Sequence, residues 1–122
     1  MFLTEFSSKH EVWRDAFGLY HREGGPAYTS IDGQQEYWIY GNRHRTDGPA
    51  IIHPNGHKEY WVNGKLHRSD GPAIIRPGLR HEWFINGVDI TRDVRIWLSD
   101  TRYKLPLIGQ NLVEFKLKFI VY

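Results

Sequence analysis

Short apolar segments separated by turn residues recur along most of the chain. In one example, the β-branched segment 50–53 is followed by a Pro-Asn-Gly-His turn at 54–57 and a second apolar segment at 58–62. Asn63-Gly64 then ends that segment. Asn-Gly supplies the positive φ angles that tight hairpins need. The pattern predicts an antiparallel meander of short strands, with both Asn-Gly turns in one sheet.

These segments belong to a repeat with a period of 23 residues. The motif His-Arg-x-x-Gly-Pro-Ala occurs at 21–27, 44–50 and 67–73, and Glu followed by two aromatic residues recurs with the same period. A degenerate half-unit with Trp13 and Gly18 precedes them. The array therefore has roughly three and a half units over 5–87. A single unit cannot bury its own apolar face, so we expect neighbouring units to stack.

The C-terminal segment 88–122 does not continue the repeat. Thr91 is a predicted N-cap, and the apolar residues that follow share one helical face, which predicts a helix over 92–100. Between 113 and 121, apolar and polar residues alternate with period two, which predicts a half-buried strand. We expect this helix and strand to cap the array, whose last sheet edge would otherwise be exposed.

The fold class predicted from these patterns is mainly all-β. We expect one domain over 1–122, with a twisted antiparallel sheet of hairpin repeats at 5–87 and a helix–strand cap at 88–122. The length of 122 residues allows one domain and hardly more. Five Trp, seven Tyr and six Phe beside twelve Gly are typical of a sheet with many tight turns.

Composition excludes several classes of function. The chain has no cysteine, which rules out disulfides, thiolate metal sites and cysteine nucleophiles. Sixteen basic and fourteen acidic residues leave a formal charge of +2, too even to demand nucleic acid or a membrane as partner. No apolar run approaches the ~20 residues of a membrane span, and Glu5 lies where a signal peptide would be basic. We therefore expect a cytoplasmic protein with no membrane contact.

The repeat unit resembles the MORN repeat in its paired strands, its aromatic residues and its Asn-Gly or Asp-Gly turns. Its variant Trp-x-Asn-Gly-x-x-His-Arg-x-Asp-Gly-Pro-Ala, at 61–73, is similar to tandem repeats in uncharacterised proteins of bacteriophages and large DNA viruses. The resemblance implies a MORN-like fold. It also implies a viral factor that binds and inhibits a host protein, such as one of bacterial defence, in the host cytoplasm.

The His-Arg pairs are the first candidate binding residues, because the repeat is expected to stack them into a row. The members of this row are His21, His44, His67, Arg22, Arg45 and Arg68. Arginines in a row can bind phosphates or carboxylates, which would suit an anionic ligand such as a nucleotide or RNA. Alternatively, each pair forms structural bonds within its own turn, to Asp47 and Asp70. The sequence leaves both interpretations open.

The second candidate is a row of aromatic residues. Trp38, Trp61 and Phe84 are expected on one face of the sheet, and Tyr37, Tyr60 and Trp83 on the other. An exposed row of rings would bind a protein or stacked bases, whereas a covered row would be core. We predict a binding surface formed by Trp38, Trp61 and Phe84, with Arg45 and Arg68 at its margin.

Catalysis, cofactors and metals are not expected. The chain has no Ser-His-Asp order, phosphate loop or paired-carboxylate cleft, and residues repeated in every unit do not form an asymmetric active site. His53, His57 and His81 do not supply the three or four convergent ligands of a metal site. The repeated glutamates Glu36, Glu59 and Glu82 are predicted to pair with Lys or Arg across strands. The sequence thus favours a non-enzymatic interaction protein; the alternatives are a module for an anionic ligand and a structural component of an assembly.

Overall fold

The computed structural model describes residues 2–7 and 9–120 and contains thirteen short strands and two helices in that part of the chain. In chain order the strands are β1 (Phe2–Phe6), β2 (His10–Arg14), β3 (Tyr28–Ser30), β4 (Gln35–Glu36), β5 (Trp38–Ile39), β6 (Asn42–Arg43), β7 (Ile51–Ile52), β8 (Lys58–Glu59), β9 (Trp61–Val62), β10 (Lys65–Leu66), β11 (Ile74–Ile75), β12 (Phe84–Ile85) and β13 (Val88–Asp89). The helices are α1 (Thr91–Thr101) and α2 (Gly109–Phe119). The predicted class, a mainly β chain with antiparallel sheets and a C-terminal helix, is confirmed.

The strands divide between one large sheet and three small hairpins. The large sheet has seven antiparallel strands in the order β1-β2-β3-β4-β7-β8-β11. The hairpins β5–β6, β9–β10 and β12–β13 each form a separate two-stranded ladder. Each full unit thus contributes both to the large sheet and to a separate hairpin, whose first strand begins with Trp38, Trp61 or Phe84.

Both Asn-Gly turns form, although in different sheets. Gly56, with φ of 91°, lies in the turn between β7 and β8 of the large sheet. Asn63 and Gly64 have φ of 51° and 77° and join β9 to β10 in a separate ladder. The prediction that both turns belong to one sheet is wrong, because the chain leaves the large sheet after Glu59 and pairs Trp61 with Leu66 instead.

The first helix was predicted correctly, but its N-cap was not. Helix α1 covers the predicted segment 92–100, and its N-cap is Ile90, which makes no side-chain capping bond. The Thr91 hydroxyl instead accepts the backbone N–H of Trp83 at 2.9 Å, and Ile90 donates its N–H to the Trp83 carbonyl at 2.8 Å. These bonds attach the start of α1 to the last repeat.

The predicted strand at 113–121 is wrong, because residues 109–119 form helix α2. The alternating pattern hid a helical one: Leu112, Phe115 and Phe119 are spaced by three and four residues and lie on the face that packs against the core. Phe115 is fully buried, whereas Leu117, two residues further on, is 73% exposed. The last residue of the alternation, Val121, lies outside the described residues.

A hydrophobic core cluster joins the repeat array to the helices. Its buried members are Trp83, Val94, Leu107 and Phe115. Trp83 comes from the last repeat, and its ring centroid lies 5.2 Å from that of Phe115 in α2. The helical pair therefore covers the last unit of the array, as a terminal cap of a repeat protein must.

Candidate functional site

Each repeat histidine holds the hairpin turn of the next unit. The Nδ1 atoms of His21, His44 and His67 accept the backbone N–H groups of Tyr40, Asn63 and Asn86, each at 2.9 Å. An imidazole nitrogen can accept this bond only when it carries no proton, so the bonded form is neutral, with its proton on Nε2. For His67, burial also lowers the pKa. The histidines therefore link consecutive units.

Each repeat arginine is fixed by contacts in two units. Arg45 donates through Nε to Asp47 at 2.9 Å and through Nη1 to the carbonyl of Pro49 at 3.1 Å. Its guanidinium carbon lies 4.0 Å from the ring centroid of Tyr37, a cation–π distance. Arg68 makes the same contacts one unit later, with Asp70, Pro72 and Tyr60. In the first unit, where Gly24 replaces the aspartate, Arg22 pairs with Glu11 at 3.4 Å and lies over Trp13.

The glycine and alanine of the motif fit the same arrangement. A Cβ atom at Gly48 would lie 3.0 Å from Cζ of Arg45, and one at Gly71 would lie 2.8 Å from Cζ of Arg68. The alanines that end the motif, such as Ala50, have no exposed surface. In the second and third units, every named residue of His-Arg-x-Asp-Gly-Pro-Ala thus has a packing or bonding role, and the proline contributes its backbone carbonyl. These contacts favour the structural interpretation of the His-Arg row.

Shallow furrows lie between successive motif turns. One, of about 370 Å³, is lined by Arg45, His67 and Arg68 among others, and its counterpart one unit earlier, of about 330 Å³, by Arg22 and Arg45. Asp47 lines both furrows. An anionic ligand on the His-Arg row would lie here, where Arg45 already has a carboxylate partner.

The rings of the predicted row Trp38, Trp61 and Phe84 are partly exposed, and other side chains lie between them. The Tyr20 ring meets Trp38 edge-on, with centroids 5.5 Å apart. The guanidinium carbon of Arg43 then lies 5.2 Å from the Trp38 centroid and 5.0 Å from the Trp61 centroid. We call Tyr20, Trp38, Arg43 and Trp61 the aromatic face. Phe84, on β12 of the last repeat, is also partly exposed.

The rings of the opposite row pack against arginines or against the helices. Trp83 is buried under the helices, and Tyr37 and Tyr60 carry the guanidinium groups of Arg45 and Arg68. The sequence left open which row is packed and which is accessible. The structure buries only Trp83 of these six rings and leaves the other five half-buried.

Glutamates orient the two indoles. Trp38 donates its indole N–H to Glu36 at 3.0 Å, and Trp61 donates to Glu59 at 2.8 Å. The predicted pairing with Lys or Arg is therefore wrong for these two glutamates. Each carboxylate bonds instead to the indole of the tryptophan two residues further along the chain. Glu82 does pair with Arg76, at 3.6 Å.

Glu59 is held as a carboxylate beside this face. Burial acts to raise its pKa, but the hydrogen bonds from His57 and Trp61, with the charges of His57 and Arg43, together hold the pKa below its usual value.

Arg43 is the residue that the sequence reasoning missed. Its repeat equivalents are Tyr20, Leu66 and Asp89, so Arg43 is the one basic residue at this position of the repeat. Within the described residues, its Nε is buried without a hydrogen-bonding partner. The arginines that form ion pairs there are Arg14, Arg22, Arg45, Arg68 and Arg76, and Arg43 is not one of them. The signal available in the sequence was this departure from the repeat.

Comparisons with protein-family models, with curated proteins and with solved structures found no match. Within residues 2–7 and 9–120, no group of three or more His, Asp or Glu side chains is placed to hold a metal ion. Neither helix in this part of the chain is long and apolar enough to cross a membrane. The assignment of function therefore depends on the geometry of the aromatic face and on the resemblance of the repeat.

Proposed function

We propose that this chain is a non-enzymatic interaction protein that binds a partner protein on its aromatic face. The observation that carries the proposal is the continuous contact from Tyr20 through Trp38 and Arg43 to Trp61. Trp, Tyr and Arg are the residue types that most often dominate the energy of protein interfaces. Here they lie together across neighbouring hairpins, and Glu36 and Glu59 fix the indoles before any partner binds. Side chains ordered in advance lose less entropy on binding.

The size of the surface also supports a macromolecular partner. The accessible surface is 7787 Å², whereas a compact monomer of 14.4 kDa is expected to expose about 6,800 Å². A stacked array offers an extended face rather than a deep cleft. A surface larger than that of a compact monomer is typical of an elongated repeat protein and suits a macromolecular partner.

The carboxylates with lowered pKa values are bonded to side chains nearby in the sequence, which supports a non-enzymatic function in this proposal. The lowered pKa values of Asp47, Asp32 and Glu5 come first from side-chain hydrogen bonds to Arg45, Ser30 and His10, respectively. These partners lie within five residues of the carboxylate along the chain. Such local pairs hold turns and strands, and a shift of this kind does not by itself indicate an acid or a base for catalysis.

The resemblance of 61–73 to repeats of bacteriophages and large DNA viruses supplies the class of partner in this proposal. The partner is then a host protein, such as a bacterial defence protein, whose activity the binding blocks. The proposed place of action is the host cytoplasm.

The repeat itself supplies a variant that tests the proposal. The double variant Trp38→Phe with Trp61→Phe introduces phenylalanine at the two positions equivalent to Phe84. Since the last unit already carries phenylalanine there, we expect the fold to be kept. The immobilised variant should lose the host protein that the wild-type chain captures from bacterial lysate. Phe17→Ala is the control, because Phe17 is 89% exposed and lies outside the aromatic face.

Three other results would count against the proposal. Equal capture by the wild type and the double variant would place the interface elsewhere. Retention of a nucleotide or RNA without a protein would favour the anionic-ligand function. Capture of further copies of the chain alone would favour a structural component.

A further inference from the structure

Arg43 is the charged residue of the aromatic face, at a position that the repeat leaves variable. The equivalent positions in the units before and after carry Tyr20 and Leu66, which have no charge, and the last hairpin carries the acidic Asp89. A guanidinium between two indoles loses part of its hydration, and a buried Nε without a partner adds a further cost. Leucine holds the equivalent position at Leu66 and avoids both costs, so the array does not require an arginine here.

The guanidinium of Arg43 is held in position from both sides. Trp38 and Trp61 flank it at 5.2 and 5.0 Å, and each indole is fixed by its own glutamate. Its charge acts on Glu59, but Glu59 is hydrogen-bonded to His57 and Trp61. Since Nε is covered, the terminal Nη atoms are the part of the group that can bind an additional acceptor.

A small cavity adjoins this arginine. It has a volume of about 180 Å³ and is lined by Trp38, Arg43 and Trp61 together with Gly41, Asn42 and Gly64. Pockets for small molecules and cofactors usually measure about 300–1,000 Å³. The cavity is therefore small for a nucleotide and suits a single side chain inserted from a partner.

We propose that Arg43 binds a carboxylate side chain of the partner protein, an Asp or Glu that enters the cavity between Trp38 and Trp61. The inference rests on the proposed function and adds the chemistry of the contact. A carboxylate accepts two N–H groups of a guanidinium in its plane, which is the strongest pairing available to arginine. Flanking rings exclude water from such a pair and strengthen it.

The test uses the full chain and two short peptides of defined charge. Tetraglutamate and tetraglutamine, both blocked at their ends, are titrated to millimolar concentration while nitrogen-15 NMR follows the Arg43 Nε–H and the indole N–H signals. We expect tetraglutamate to shift these signals and tetraglutamine to leave them unchanged. Arg43→Leu, which copies Leu66, should weaken tetraglutamate binding about tenfold or more, as judged from the indole signals.

A matched variant separates a specific contact from general charge. Arg80→Leu removes one positive charge from an exposed turn, and we expect tetraglutamate binding as in the wild type. Equal weakening by both leucine variants, or no shift with tetraglutamate, would overturn the inference. Shifts of the same signals by inorganic phosphate at lower concentration would also overturn it, in favour of a phosphate ligand.

Different capture results would contradict this inference and the proposed function. If Arg43→Leu captures the host protein as the wild type does, while Trp38→Phe with Trp61→Phe does not, the carboxylate contact is wrong and the aromatic face stands. If neither the wild type nor any variant captures a protein, the proposed function itself fails.

Discussion

Nδ1 of His44 accepts the backbone N–H of Asn63 at 2.9 Å, from a residue nineteen positions further along the chain. The bond joins the start of one motif to the hairpin turn that precedes the next. Two equivalent bonds, made by His21 and His67, repeat it along the array. A histidine that looks like a ligand residue in the sequence is thus a connector between units.

Removal of one connector should destabilise the chain without unfolding it. His44→Ala breaks the bond to Asn63 and exposes packed surface, and we expect the free energy of unfolding to fall by about 1–2 kcal/mol. Urea denaturation measures it. His53→Ala, nine positions further along the chain, is the comparison. An equal loss in both variants would show that the bond to Asn63 does not contribute more than an ordinary histidine contact.

Stability should decrease as the pH falls through the histidine range. The usual pKa of His67 is 6.5, and burial lowers it in the folded chain. Below pH 6.5 the unfolded chain therefore binds more protons than the folded one, so the free energy of unfolding falls with pH until the folded pKa is passed.

Urea midpoints between pH 8 and pH 5 test this dependence. The carboxylates with lowered pKa values, whose usual values are 4.5 or below, lose their contribution only at lower pH. His67→Gln should reduce the slope between pH 8 and pH 5. A slope unchanged in this variant would contradict the role given to His67.

The motif glycine is predicted to make room for the motif arginine. Gly71→Ala places a Cβ 2.8 Å from Cζ of Arg68, which is held by Asp70, Pro72 and Tyr60. We expect a loss of about 1–3 kcal/mol in the free energy of unfolding. In an Arg68→Ala background the same change should cost much less, and a double-mutant cycle measures the difference. Additive costs would mean that the two side chains do not conflict.

Two substitutions distinguish helix α2 from the predicted strand, because in a strand both would cost similar stability. In a strand, Phe115 and Leu117 would lie on the same face. In the helix only Phe115 is buried, so Phe115→Ala should cost about 3–5 kcal/mol and Leu117→Ala less than about 0.5 kcal/mol. Thermal or urea unfolding measures the free energy of unfolding of the two variants. Similar losses in both would favour the strand over the helix.

Local features of the fold were predictable because they depend on neighbouring residues. Asn63-Gly64 identifies its turn by residue type alone, and the face shared by Val94 and Trp97 identifies α1. Helix α2 was misread because Phe115 and Phe119 satisfy both a period of two and a helical spacing. The choice between them depends on the core around Trp83, which is distant in sequence.

The candidate site was predictable only in part. Trp38 and Trp61 stand out by their spacing, but the role of His44 depends on a turn in the next unit. Arg43 is visible as a departure from the repeat, yet its position between two indoles follows from the stacking of successive hairpins. The repeated histidines and arginines make contacts within the array, and the variable position Arg43 marks the proposed contact.

The most direct test compares partner capture by two double variants, each assayed below its melting temperature. Trp38→Phe with Trp61→Phe changes the aromatic face, and Arg45→Lys with Arg68→Lys changes the His-Arg row. We predict that the first folds like the wild type and loses the host protein, whereas the second melts at a lower temperature and still captures it. The reverse result, with capture lost only in the lysine variant, would show that the His-Arg row is the binding surface and would contradict this account.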